Sequence, residues 1–277
     1  LTLVIAMLAG CAAKKQLWGD PNSGMILEYR MPEKQDLNYQ FSSNMVQNME
    51  VMGQSMENLI DMDIFFTAHS SKGSDGNFEL AMTLDSSRTH LKTPQGEVDP
   101  DMSAIKGKKF QMTLSPLGKE IALKGADALT YRINDSERSL AANFQTIFPD
   151  FAGKPVKIGE SWTTLDTINI NEGDTKMRMT FVSENTLAGL EVVDGRECAK
   201  ITGTSTGKLT GTGSERGADL VFDGDIESDD VWYFAYKEGL FTRSISNGTT
   251  KNTITVSGPT DMIIPMTMKT TFDVKLK

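Results

Sequence analysis

Cysteine and histidine are nearly missing from this 277-residue chain, with two of each. That scarcity excludes a disulfide framework and a cluster of soft metal ligands. Basic residues are in short supply too: 28 Lys and Arg stand against 37 Asp and Glu, a formal charge of −9. Phosphate binding needs the opposite balance, so nucleic acid is excluded as a partner, and so is a polybasic grip on anionic lipid. What remains is an ordinary globular composition, 39% hydrophobic and 23% charged, too apolar for a disordered chain.

The first ten residues, Leu1 to Gly10, are apolar and uncharged. Such a run is too short to span a bilayer, which takes ~20 residues, and it fits the apolar core of a signal peptide. Leu8-Ala9-Gly10-Cys11 looks like the bacterial lipobox. The expectation is therefore diacylglyceryl modification of Cys11 and a lipid anchor in the membrane. At ~0.8 kcal/mol per buried CH₂, two or three acyl chains hold permanently. Ala12-Ala13-Lys14-Lys15 offers neither an Asp after the cysteine nor an acidic run. An outer-membrane lipoprotein facing the periplasm is the reading that follows, with residues 12–27 as a tether.

Beyond the tether the pattern is mainly β. Alternation predicts a hairpin of Leu37–Val51 and Ser55–Ser70 turning near Gly53, and Asp75-Gly76 opens a strand at Asn77–Leu91. Lys109–Leu114 and Glu120–Leu123 flank Pro116-Leu117-Gly118. One helix is expected at 135–148, where Leu140, Phe144 and Ile147 form a stripe stopped by Pro149. Later strands are expected at Lys176–Val182, Leu190–Val193, Cys198–Lys208, Leu220–Phe222, Val231–Tyr236, Leu240–Asn247, Lys251–Val256 and Met266–Leu276. Asp194-Gly195, Asp223-Gly224, Glu238-Gly239 and Asn247-Gly248 read as the turns. The fold class is thus antiparallel curved sheets, half-barrel-like. A first β half (28–130) and a second (156–277) are joined by helix and linker (131–155). Similar turn-and-strand patterns suggest the halves as a diverged duplication.

With the lipobox, the Met- and Gln-rich stretch Met45–Met56, the Gly118 hairpin and the block Gly159-Glu160-Ser161-Trp162, the chain resembles a lipoprotein family of Bacteroidota. No activity is assigned to that family, so the resemblance carries over no catalytic residues and implies only antiparallel β architecture. The pattern is also similar, more loosely, to half-barrels that carry lipids or lipoproteins across the periplasm.

Chemistry is mostly negative, and no enzyme and no cofactor are expected. His69 and His90 fall on separate strands. Ser205-Thr206-Gly207-Lys208 has acyl-enzyme spacing but sits in a strand pattern, and Cys198 reads as a core thiol. Asp223, Asp225, Glu227 and Asp229 could offer oxygens to calcium, yet the stretch fails the EF-hand pattern and reads as a solvated hairpin face. The run Gly203–Gly217 reads as a flexible hairpin. Asp166-Thr167-Ile168 resembles a Bacteroidota O-glycosylation site, with Thr167 as acceptor. Trp162 reads as a structural aromatic packing near Phe148 and Phe151.

Methionine is the outlier, at 16 residues. Simple core packing is one account. The other places Met45, Met49, Met62, Met82, Met112, Met266 and Met268 on the concave side of a curved sheet, lining a cavity for an acyl chain. Two functions stay open: a carrier of an apolar small-molecule ligand, or a scaffold binding another envelope protein.

Overall fold

Alternation of inward and outward residues runs far longer here than the ~5–6 residues of an average strand. The computed structural model describes residues 18–277 except 34, 74, 134, 135, 216, 259 and 260. Two short strands, β1 (Gly19–Asp20) and β2 (Gly24–Met25), precede the long ones β3 (Asp36–Val51), β4 (Gln54–Lys72) and β5 (Phe78–Thr93). Then come β6 (Gly96–Val98), β7 (Lys109–Leu114), β8 (Glu120–Lys124), β9 (Thr130–Ile133) and β10 (Ser136–Ser139). A second meander follows: β11 (Ser161–Glu172), β12 (Thr175–Val193), β13 (Arg196–Glu215), β14 (Ala218–Ala235), β15 (Leu240–Ser257) and β16 (Met262–Leu276).

One antiparallel sheet of 12 strands takes in both halves, in the order β11-β12-β13-β14-β15-β16-β3-β4-β5-β7-β8, with β6 beside β5. The halves join where β16 lies against β3, from Met266 opposite Met49 to Leu276 opposite Tyr39. The sheet does not close on itself, because β11 and β8 exchange no ladder hydrogen bonds.

Side chains bridge that seam. Lys119 Nζ reaches the Leu165 carbonyl (2.8 Å), Asp166 Oδ1 (2.6 Å) and Asp150 Oδ2 (3.0 Å). The Gln145 amide pairs with the free edge of β11, donating to the Asn169 carbonyl (2.7 Å) and accepting from its N–H (2.8 Å). Arg138 and Glu172 form an ion pair at the same edge. An edge covered in this way presents fewer free backbone groups to other chains.

The core fills one end of the sheet's inner side, around Tyr39, Phe66, Phe144, Phe148, Phe234 and Phe241. An extended segment threads it, burying Met25, Leu27, Tyr29 and Met31 in strict alternation. Tyr29 donates its backbone N–H to the Pro116 carbonyl and its hydroxyl to the Pro149 carbonyl, at 2.8 and 3.0 Å. Residues 18–27 are therefore docked where a tether was expected: Met25 and Val156 exchange backbone hydrogen bonds, and Trp18 packs edge-on to Tyr236. Cys11 and the lipobox lie outside the described residues.

The helix expected at 135–148 is replaced by strand β10, paired with β9, and a short 3₁₀ turn at Ala141–Phe144. Leu140, Phe144 and Ile147 are buried as their stripe implied. They plug the end of the sheet as an irregular segment, and with Pro149 so close no helix long enough to be stable is left.

Strands expected as separate pieces also fuse. Asp223-Gly224 and Asn247-Gly248 are mid-strand positions of β14 and β15, not turns. The alternation carries through both in phase, and their glycines face inward. A Cβ on Gly224 would come within 2.7 Å of the Lys251 carbonyl oxygen. One on Gly207 would come within 2.3 Å of the Thr180 oxygen, so Gly203–Gly217, expected as a flexible hairpin, is mostly a strand coiled tightly against its neighbour. Inward glycines let strands curl toward their own concave side.

Candidate functional site

Register and alternation define the inner face beyond the aromatic core. On β3 and β4 the inward pairs are Ser43–Met62, Met45–Ile60, Gln47–Asn58 and Met49–Met56. On β16 the inward residues Met262, Ile264, Met266 and Met268 continue that surface, with Met266 opposite Met49 and Met268 opposite Gln47. Across the other wall it runs through Phe222 and Ile226 on β14 and Met177, Met179 and Phe181 on β12. These residues are half-buried, while their outward neighbours are mostly exposed and polar. Among the described residues no second layer of secondary structure covers this wall.

Five of the seven methionines named from the sequence, Met45, Met49, Met62, Met266 and Met268, stand together on β16, β3 and β4. The other two do not join them. Met82 and Met112 are fully buried in the packed end, Met82 opposite Phe110 and Met112 opposite Leu80. They fill core and cannot meet a ligand, which corrects their assignment to the lining. Met56, from the same Met-rich stretch, belongs with the half-buried group, opposite Met49. Gln47 Nε2 donates to the Met266 sulfur at 2.7 Å, which ties the two strands on the inner side.

Between aromatic core and apolar wall lies a polar belt that sequence reasoning missed. Asp230 points inward from β14, and its Oδ2 accepts from Ser205 Oγ (3.3 Å) and Ser228 Oγ (3.2 Å). Ser205 Oγ is also 2.7 Å from Ser183 Oγ. Burial pushes the Asp230 carboxyl above its ordinary range, while hydrogen bonds from Ser246, Ser228 and Ser205 pull the other way. The signal was in the sequence: Asp230 shares the phase of Ile226, Trp232 and Phe234, whereas Asp223, Asp225, Glu227 and Asp229 occupy the opposite, solvated phase. A single cluster of eight residues hid two different faces.

The outer face is mainly polar and in part charged, with scattered exposed apolar residues such as Leu165, Val182, Val221 and Ile263. Lys208 and Asp225 pair across strands at 2.5 Å, and Lys251, Glu227 and Asp229 are exposed beside them. A wall sunk in lipid carries the reverse pattern, apolar outward. His69 bonds Asp36 and His90 bonds Asp99, each at 2.8 Å, both away from the inner belt. Ser205 and Lys208 project to opposite faces of β13, so they cannot act as an acyl-enzyme pair. Cys198 is fully buried and free. Thr167 lies mid-strand on β11, half-buried opposite Thr180. Among the described residues no group of three or more His, Cys, Asp or Glu is placed to hold a metal ion, and no helix is long and apolar enough to cross a membrane.

No family model and no curated protein matches the chain. Among solved structures it is similar to an outer membrane channel from Pseudomonas putida F1, at 8% identity and TM-score 0.32, covering 90% of this chain and 97% of that one. It is similar also to the OccK2 (OpdF) protein of Pseudomonas aeruginosa, at 5% identity and TM-score 0.27, covering 89% and 99%. Likeness at these scores carries no argument about architecture or activity.

Proposed function

We propose that this chain is a non-enzymatic, β-rich envelope lipoprotein, anchored through Cys11 in the outer membrane and facing the periplasm, whose concave face binds an acyl chain or a similarly apolar ligand. One observation carries the reading: beyond the core, apolar residues predominate at the half-buried inward positions of β12, β14, β16, β3 and β4, interrupted by Gln47 and Asn58, and no packed layer covers them among the described residues. Burying apolar area there is favourable at ~25 cal/mol per Å², and methionine adapts to ligands of irregular shape. The mainly polar outer face fits an aqueous compartment.

The test is organic extraction of protein purified from its native envelope, read by mass spectrometry, beside binding of a fluorescent fatty-acyl probe. Co-purified lipid and probe binding weakened at least tenfold by Met268→Glu are expected. Absence of lipid together with no probe binding would overturn the reading. Crosslinking of the same face to one defined envelope protein would replace it with the scaffold.

A further inference from the structure

Among the described residues, three carboxylates reach the inner side of the second meander. Asp166 is neutralised by Lys119, and Glu172 by Arg138. Asp230 has no ion-pair partner among the described residues; its hydrogen bonds come from serine hydroxyls, with the Asn185 amide nearby across Gly203. Among the same residues, no lysine or arginine occupies an inward position on β11 to β16 or β3 between the core and the far rim. A half-buried carboxyl that attracts no cation from its own chain is costly in this setting, and a cationic ligand group would relieve that cost.

The ladder neighbours of Asp230 are small, although the Asn185 side chain reaches over Gly203, its Oδ1 2.8 Å from where a Cβ there would stand. Across the ladder Asp230 faces Gly203 on one side and Ser246 on the other. One step farther along, Ser228 is flanked by Ser205 and Gly248. All these neighbours are small, whereas the inward positions beyond them are Ile226 and Phe222 on β14 and Met268 and Met266 on β16. From Asp230 to Phe222 is eight residues of strand, about 27 Å at ~3.4 Å per residue. That is longer than an extended dodecyl chain.

We infer that the inner face selects single-chain amphiphiles with a cationic, hydrogen-bond-donating head over fatty-acid anions, the head seated at Asp230 and the tail along the methionine wall. The inference rests on the apolar-ligand reading above and adds the chemistry of the head. Ser205 and Ser228 keep their hydroxyl hydrogens on the carboxylate, and the ligand's ammonium donates to its remaining lone pairs. A fatty-acid carboxylate in the same place would meet a like charge.

The experiment compares dodecylamine, dodecan-1-ol and dodecanoate, all below their aggregation concentrations, by calorimetry with the full chain. The amine is expected to bind at least tenfold tighter than dodecanoate. Asp230→Asn keeps the shape and should bring the two within threefold, with dodecanol unchanged. Asp225→Asn removes one charge from the outer face and should leave the ratio intact, which separates the local group from net protein charge. Equal or tighter binding of dodecanoate by the native chain would overturn the selectivity while leaving the apolar reading in place. So would a ratio unchanged in Asp230→Asn. Failure of all three probes to bind would overturn the apolar reading, and the selectivity with it. The native-chain comparison decides the matter even if the substituted chain does not fold.

Discussion

The Trp162 indole donates through Nε1 to the Asp150 carbonyl at 3.1 Å. Its ring meets Trp232 edge-on at 6.2 Å, and Trp232 in turn packs on Phe151. One side chain thereby fastens the first strand of the second meander to the segment that spans the seam. Trp162→Ala should cost roughly 3–5 kcal/mol of unfolding free energy, the range for removing a large buried aromatic. Trp162→Phe keeps most of the apolar contact and loses the donor, for about 1 kcal/mol. Urea titration of both variants checks the order, and an Ala variant as stable as the native chain would refute the fastening role.

Glu120 gives a prediction in pH. Its Oε1 accepts the Phe148 N–H at 2.9 Å. Enclosure pushes its carboxyl well above the ordinary range; the hydrogen bond opposes that shift, and the nearby Asp150 carboxylate adds to it. A folded pKa above the unfolded one means the folded chain holds a proton that the unfolded chain has released. This contribution is full below the ordinary glutamate range and is lost as pH rises through the raised value. Glu120→Gln can still accept from Phe148 and never ionises. It should melt higher than the native chain at pH 8 and lose that advantage near pH 4, a crossover that thermal melts at the two pH values would show or exclude.

Glycine placement predicts where the sheet resists change. Gly207→Ala puts a methyl within 2.3 Å of the Thr180 oxygen, a backbone atom that cannot step aside cheaply. Loss of about 1–3 kcal/mol is expected, as for overpacking elsewhere. Gly189→Ala enters open space and should stay within about 0.5 kcal/mol of native. Equal stability of the two variants would show that tight coiling of β12 on β13 is dispensable.

The seam predicts a local effect. Lys119→Met leaves Asp150 and Asp166 facing each other without their shared cation. Lys119 is half-exposed, so the global cost should be small, about 1 kcal/mol. Hydrogen exchange at the β11 edge should speed up several-fold while β14 and β15 stay protected. Uniform acceleration across the sheet would mean that the seam is part of the global unfolding unit.

Much of this architecture is written in period-2 alternation; in the first hairpin, turning near Gly53, the helical spacing of Met45, Met49, Met52 and Met56 competes with it, and the alternation of Asn58 to Phe66 decides for strands. The second meander was harder to read. Several of its glycines, such as Gly224, stand where strands crowd one another, and a local reading cannot tell a mid-strand glycine from a turn, as Gly224 and Gly248 show. The stripe Leu140, Phe144, Ile147 reported burial correctly but not conformation, because a plug surrounded by core buries residues at any spacing. For the inner face, phase was sufficient to gather Met45, Met49, Met62, Met266 and Met268. It could not show that Met82 and Met112 lie past the point where the core begins, since that boundary depends on the segment 25–31 threading the sheet. Asp230 was legible in phase and obscured by the acidic residues around it.

The junction of β16 with β3 also bears on how the protein is made. Residues 262–276 are the partner of residues 36–51, so the two meanders can be stitched together only after nearly the whole chain has emerged. Until then β3 waits with an unsatisfied backbone edge and one apolar face, the features that invite mispairing with a neighbouring chain. A protein of this design is exposed to mispairing while it folds, and its yield should depend on holding chaperones more steeply than its final stability would suggest.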